Sequence, residues 1–166
     1  MITIIITNEV VGQARLYEFR NCEGKCVLVP TYHAVARDSV AKEEFEFVVT
    51  RSASRLVFES DTDRFGTYGE CPPSKPGSPY KAFPSKTTKG SFCLRLYETE
   101  APQSHNTIRG EGEVNRVNIM IHKGPSMSQG CLVIAGGKRG HHRFERWFKK
   151  RITDDAIITV EVLPYL

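Results

Sequence analysis

The stretch VNIMIHKGPSMSQGCLVIAGG, residues 117–137, places two short apolar runs on either side of a compact loop. The runs VNIMIH and CLVIA are rich in Ile, Val and Leu, as half-buried strands require. The loop between them contains two glycines and a proline, which favour turns. The stretch therefore predicts two strands with neighbouring ends, His122 closing the first and Cys131 opening the second.

The same β pattern recurs along most of the chain. Other segments that alternate apolar with polar residues, or that are enriched in Val, Ile, Phe and Tyr, are ITIIIT, RLYEF, CVLVP, FEFVVT, RLVFES, SFCLRLYE and IITVEVL. Many short strands indicate a β-sandwich or barrel. A chain of 166 residues, 40% hydrophobic and 25% charged, is long enough for its own core, so we expect one mainly β domain over residues 1–166.

One helix is predicted near the C-terminus. In HHRFERWFKKRI, residues 141–152, three aromatic residues fall at i, i+3 and i+4, namely Phe144, Trp147 and Phe148. We expect this amphipathic helix to pack by its aromatic stripe, with His141 and His142 solvated at its start. Upstream, RDSVAKEEFEF predicts a helical turn before a strand, with Asp38 or Ser39 as its cap.

A Pro-rich segment interrupts the β pattern. Residues 71–90, CPPSKPGSPYKAFPSKTTKG, hold five of the nine prolines. Proline removes a ladder donor and breaks helices, which excludes a central strand or a long helix. We therefore expect a long surface loop here, placed to cover a substrate groove.

Charge and hydropathy narrow the environment. The net charge of +4 and pI near 8.8 favour an anionic partner, whether nucleic acid, a membrane surface or a cell-wall polymer. No run approaches the roughly 20 apolar residues that span a bilayer. The start, MITIIITNEV, lacks a basic region and a cleavage site, so we expect a first strand rather than a signal peptide.

Five cysteines leave the redox state open. Cys22 and Cys26 flank a hairpin-like turn and face one another if paired, while Cys71 and Cys93 bracket the Pro-rich segment. Two such disulfides leave Cys131 free. Alternatively all five are reduced, or Cys22 and Cys26 join a histidine around zinc, although no second ligand pair follows at finger-like spacing.

Cys131 and His122 suggest nucleophilic chemistry. A thiol attacks a carbonyl as thiolate, and a free cysteine with a pKa of about 8.5 is mostly protonated at neutral pH, so it needs a base. Gly130 removes a side chain where a substrate backbone approaches, and backbone N–H groups at this turn would hold a developing oxyanion. Ser128 would brace the turn through its hydroxyl. Alternatively Cys131 is a small buried hydrophobe and His122 a satisfied strand-end histidine.

The motif IHKGPSMSQGCLVI resembles the active-site signature of L,D-transpeptidases of the YkuD type, and more closely their compact relatives among phage-like proteins and type VI secretion effectors. On this resemblance Cys131 matches the nucleophile, His122 its histidine, and Ser128 and Gly130 the Ser-x-Gly turn. Lys123 and Gln129 depart from the usual Gly and His. Upstream, FGTYG resembles the Gly-x-aromatic entry to a strand of that family.

The resemblance implies a β-rich fold and a cysteine enzyme, without cofactor or metal, that cleaves or exchanges peptidoglycan stem tetrapeptides through a thioester. It implies an antibacterial effector or phage-like toxin, made in the cytoplasm and acting in the periplasm of a target cell. An immunity protein and a secretion apparatus are then expected partners, and nucleic acid is not. The alternative is a non-enzymatic basic module that binds an anionic polymer, either cell wall or nucleic acid.

Several further side chains have provisional roles. Lys123 and Arg109 are candidates for holding substrate carboxylates. His105 is a candidate second base on a loop, and His33 is expected to be structural.

Overall fold

The computed structural model describes residues 1–18, 25–59, 63–98, 107–124, 128–153 and 156–166. Strands and helices follow one another along these residues as β1 (Ile2–Tyr17), β2 (Cys26–Asp38), β3 (Glu43–Thr50), α1 (Ser54–Phe58), β4 (Tyr80–Lys86), β5 (Phe92–Tyr97), β6 (Thr107–Ile108), β7 (Arg116–Val117), β8 (Met120–Lys123), β9 (Leu132–Ile134), α2 (Gly137–Lys149) and β10 (Ile158–Val162).

Eight of these strands close into a barrel in the order β1-β10-β4-β5-β8-β9-β3-β2, and β6 and β7 form a separate two-stranded sheet. Within the barrel the pairs β1·β10 and β8·β9 are parallel and the other six are antiparallel. The expected mainly β fold is confirmed. Closure leaves the barrel without an edge strand over the paired residues.

The barrel interior is filled by alternate residues of each strand. Ile2, Ile4 and Ile6 of β1 are buried, and so are the inward residues of β10. One end is closed by α2, whose Phe144 packs on Phe47 of β3 with ring centroids 5.2 Å apart. The expected aromatic stripe is confirmed.

Helix α2 differs from expectation at its start. It begins at Gly137, four residues before the predicted start, so His141 lies a full turn inside the helix. There it shares the buried face with Phe144 and Phe148, and its Nε2 lies 2.9 Å from the Phe92 carbonyl oxygen, which accepts a hydrogen bond. The prediction that His141 is solvated was therefore wrong, whereas His142 is exposed. Within the described residues, no helix is long and apolar enough to cross a bilayer.

Of the predicted strand RLVFES, residues 55–58 belong instead to the short helix α1. Tertiary contacts fix this turn: the N–H of Ser54 donates to Ser128 O at 2.7 Å, and its hydroxyl donates to Tyr17 O at 2.8 Å. An apolar run of this length does not distinguish strand from helix by itself. The match of FGTYG to a strand entry was also wrong, because residues 64–69 form turns and bends.

The Pro-rich segment is not one long loop. Residues 71–74 are buried, and β4 (Tyr80–Lys86) is a barrel strand between β10 and β5. Pro84 is tolerated because β10 pairs only with residues 80–82 of β4, so no ladder partner on that side needs the missing N–H. The proline content therefore misled the prediction of a surface loop.

The turn after β2 agrees with the proposed cap. Asp38 Oδ1 accepts hydrogen bonds from the N–H groups of Val40 and Ala41, at 3.0 and 3.1 Å. These bonds lower the pKa of the Asp38 carboxyl, the bond from Ala41 most, with a contribution from Arg151. No helix follows, because β3 begins at Glu43.

Cys71 and Cys93 are not joined. Both are free thiols, Cys71 in the barrel core and Cys93 between the inward-facing Phe92 and Leu94 of β5. Successive strand residues point to opposite faces, so the two sulfurs lie on opposite sides of the barrel wall. Cys26 is also free. The proposed disulfide and zinc site at Cys22 involve a residue outside the described ranges.

Candidate active site

Strands β8 and β9 place the two predicted catalytic side chains on one surface. The strands run parallel, with Ile121 opposite Leu132 and His122 opposite Val133. Ile121 and Leu132 face the barrel interior and are fully buried. His122, which follows Ile121, and Cys131, which precedes Leu132, therefore both face outward on adjacent strands.

Cys131 is a resting thiol bonded to β8. Its Sγ is 3.5 Å from the carbonyl oxygen of Asn118, which accepts the S–H, and the Met120 N–H donates to the sulfur. Burial raises the pKa of Cys131 to about 11, which the Met120 bond and the charge of Arg116 offset only in part. The resting thiol is therefore protonated at pH 7.

His122 is held in one tautomer. Its Nδ1 lies 2.8 Å from the Lys123 carbonyl oxygen, which can only accept, so the neutral ring carries its proton on Nδ1. Nε2 then holds a lone pair. Burial lowers the pKa of His122 below 6.5, although the Lys123 bond opposes this, so the ring is neutral at pH 7.

The two groups are neighbours that do not yet interact. No hydrogen bond joins His122 to Cys131, both of which the structure describes, and neither contributes to the pKa shift of the other. They are offset by two residues along the parallel pair. The predicted contact between the two side chains is therefore absent from the resting structure.

The turn before Cys131 is tightly fixed. Ser128 donates from its hydroxyl to the Cys131 carbonyl oxygen at 3.0 Å, and from its N–H to Ser54 Oγ at 2.9 Å. Gly130 has φ +104°, which side chains rarely allow, and an added Cβ would collide with Arg116 Nη2. The bracing role expected for Ser128 and the need for glycine at position 130 thus have a structural basis.

Arg116, which the sequence analysis missed, anchors this turn. Its guanidinium is 3% exposed and donates to three carbonyl oxygens, those of Gly69, Glu70 and Gln129, at 2.7 to 2.9 Å. The charge is desolvated, which lowers its pKa. No local pattern around Arg116 signals this role, because its partners are 13 to 47 residues away in sequence.

The remaining candidates lie elsewhere. Lys123 ends β8 and is half-buried. Arg109 is exposed after β6, and its N–H donates to Glu98 Oε1. His33 on β2 pairs with Glu46 at 3.2 Å, consistent with a structural role. His105 lies outside the described residues.

Comparisons with known proteins add no assignment. A scan against protein-family models, a search of curated proteins and a search of solved structures each found no match.

Proposed function

We propose that this chain is a peptidoglycan-modifying cysteine enzyme, an L,D-carboxypeptidase or L,D-transpeptidase acting on stem tetrapeptides. The observation that carries the proposal is the placement of Cys131 and His122 on one face of two adjacent parallel strands. The fixed glycine turn immediately before the cysteine supports it. The chemistry matches the signature that the motif resembles.

Activation requires a local change at Cys131. The thiol leaves its bond to Asn118 O and turns towards His122, whose neutral ring can accept a proton on Nε2. Because burial holds the imidazole neutral, it is competent as a base at pH 7. The high pKa of the resting thiol makes it slow to react at neutral pH, and we propose that a bound substrate changes its surroundings.

The reaction then proceeds in two halves. The thiolate attacks the carbonyl carbon of the residue before the terminal one, and the proton taken by His122 passes to the leaving amine. The carbon–nitrogen bond breaks and a thioester remains on Cys131. Attack by water gives the shortened peptide, and attack by an amine gives a new amide, with His122 taking the proton from either.

Oxyanion stabilisation is assigned to the backbone at the turn. We assign the oxyanion to the backbone N–H groups around Gly130 and Cys131. The absent side chain of Gly130 leaves room for Arg116, Gly69 and Ile119 and not for a substrate, so the glycine sets the shape of the turn. Arg116 stabilises these groups in place by holding the Gln129 carbonyl. Arg116 thus acts through the turn and not on the substrate.

Peptidoglycan stem peptides lie outside the inner membrane, so we propose the periplasm of a target cell as the place of action. An enzyme that depletes stem peptides there acts as an antibacterial effector or phage-like toxin. Its producer then needs an immunity protein and a delivery apparatus as partners.

The test is incubation with purified peptidoglycan followed by mass analysis of released muropeptides. Cys131→Ala should abolish conversion of tetrapeptides. Cys93→Ala is the matched control, because Cys93 lies on the same outer face of the barrel on β5, the other neighbour of β8, and this variant should retain conversion. Equal activity of the two variants would refute the assignment of the nucleophile. Equal inactivity of both, with wild-type turnover and folded protein, would refute it as well.

A second candidate function, binding of an anionic polymer without catalysis, rests on the outward face of α2. That face carries exposed cations spaced along the helix, Lys138, Arg139, Arg143, Arg146 and Lys150. Binding by this face should weaken steeply with salt. Retention on anionic cell wall or nucleic acid by Cys131→Ala, with no muropeptide conversion by wild type, would favour this candidate.

A further inference from the structure

Arg95 of β5 has a guanidinium fixed by neighbouring polar atoms. Its Nε donates to Ser85 Oγ at 2.9 Å and its Nη1 to Asn118 Oδ1 at 2.8 Å. Its Nη2 lies 3.5 Å from the Lys86 carbonyl oxygen, which is long for a hydrogen bond. The group is therefore oriented and still has donor capacity.

The barrel register places Arg95 on the surface that carries Cys131. Arg95 is opposite Met120 on β8, and Met120 is next to Cys131 by continuation of the parallel pairing of Ile121 with Leu132. Laterally paired residues point to the same side of a sheet. Asn118 links the two groups directly, because its side chain accepts from Arg95 and its carbonyl accepts from the Cys131 thiol.

In the part of the chain that the structure describes, Arg95 lacks the carboxylate partner that several other arginines have. Arg37, Arg64 and Arg151 each pair with a carboxylate. Arg95 makes no ion pair with any Asp or Glu among the described residues. Its charge also acts on the thiol: burial dominates and raises the pKa of Cys131, and Arg95 is among the groups that lower it.

We propose that Arg95 is the residue that binds a substrate carboxylate beside Cys131, which makes it a specificity determinant for acyl donors with a free C-terminal carboxylate. The proposal rests on the proposed function of Cys131 as nucleophile. Two donors of one guanidinium suit a carboxylate, which accepts in the same plane. Neither Lys123 nor Arg109, the residues suggested by the sequence, has this arrangement around the thiol.

The spacing of the strands sets which carboxylate fits. Arg95 and Cys131 lie on the two strands that flank β8, so their backbones are about 10 Å apart. The Nη1 of Arg95 reaches towards β8 as far as Asn118, while its Nε and Nη2 contact β4. One residue of extended peptide covers about 3.5 Å. The carboxylate that reaches Arg95 therefore belongs to the residue next to the attacked carbonyl, which is the terminal residue that leaves.

The proposal can be tested without turnover, by charge-selective alkylation. The folded protein is treated at pH 9 with iodoacetate, which is anionic, or iodoacetamide, which is neutral, and labelling of Cys131 is followed by peptide mass mapping. Arg95→Gln should lower the iodoacetate-to-iodoacetamide rate ratio about fivefold. Arg95→Lys should retain most of the ratio, and Arg37→Gln, a matched exposed arginine on β2, should leave it unchanged.

A protection experiment distinguishes a carboxylate subsite from a general anion site. N-acetylalanine should slow labelling of Cys131 by iodoacetamide in the wild type and not in Arg95→Gln, whereas N-acetylalaninamide should protect neither. Equal protection by inorganic phosphate would overturn the carboxylate assignment.

Three results would overturn the proposal outright: an unchanged rate ratio in Arg95→Gln, an equal loss in Arg37→Gln, or a Cys131 that neither reagent labels in folded protein. An Arg95-dependent ratio in a protein inactive on peptidoglycan would instead support the subsite and refute the enzyme. Muropeptide conversion that is independent of Arg95, together with an unchanged rate ratio, would support the enzyme and refute the Arg95 subsite.

Discussion

Replacing Gly130 by alanine tests how the turn before Cys131 is built. The backbone there has φ +104°, and holding a non-glycine residue in such a region costs about 1–3 kcal/mol. The added Cβ would also collide with Arg116 Nη2 and lie 2.9 Å from the Gly69 carbonyl oxygen. Overpacking of this kind costs about 1–3 kcal/mol, so we expect a total loss of about 2–6 kcal/mol in the free energy of unfolding.

A matched control separates the two contributions. Gly90 also has a positive φ, +84°, but an added Cβ there meets nothing within 4 Å. Gly90→Ala should therefore cost only about 1–2 kcal/mol. Urea unfolding monitored by fluorescence gives both values, provided that the slope with denaturant is unchanged. If Gly130→Ala is no more destabilised than Gly90→Ala, the close packing of the turn against Arg116 is wrong.

Three further predictions concern burial. Burial raises the pKa of Cys71 to about 12 and of Cys131 to about 11, from 9.0, so the unfolded chain ionises first. The urea concentration at the unfolding midpoint should fall as pH rises above about 9, and it should fall less steeply in Cys71→Ala. An equally steep fall in Cys71→Ala and wild type would contradict this prediction. Burial lowers the pKa of His122, so its contribution to stability is present above pH 6.5 and is lost as pH falls. His122→Asn should reduce this dependence of stability on pH. An NMR titration that gives His122 a pKa above 6.5 would contradict this prediction. Phe144→Ala should cost about 3–5 kcal/mol by calorimetry, and a loss below 1 kcal/mol would refute a helix that closes the barrel.

Local sequence patterns predicted the features that depend on periodicity. Side-chain spacing alone predicted most of the β segments, which are strands of the barrel, and the aromatic stripe, which lies on α2. The adjacency of β8 and β9 was expected from the short loop between two apolar runs, but the strands run parallel, which the expected return of the chain did not indicate. The sequence therefore predicted the neighbourhood of Cys131 and His122.

The errors come from contacts distant in sequence. Residues 55–58 of the predicted strand RLVFES are helical, and the start of this helix is held by bonds from Ser54 to Tyr17 and Ser128. Pro84 sits in a barrel strand because the neighbouring strand β10 ends before reaching it. Arg116 and Arg95 act through partners on other strands and loops. None of these arrangements leaves a signal within a local window.

The resting state of the site was likewise beyond sequence reasoning. Cys131 bonds to the Asn118 carbonyl rather than to His122. Asn118 has a positive φ, +58°, just before β8. The predicted strand VNIMIH is divided at this residue, with Val117 in β7 and Met120 in β8.

The most direct test of the central proposal is to trap the acyl-enzyme. Wild-type protein mixed with a purified disaccharide tetrapeptide is quenched in acid, and intact mass followed by peptide mapping locates any adduct. We expect a hydroxylamine-sensitive adduct of the acyl fragment on Cys131, absent from Cys131→Ala and present in Cys93→Ala. Conversion of the tetrapeptide with an adduct on another residue, or no adduct and no conversion by folded wild-type protein, would contradict it.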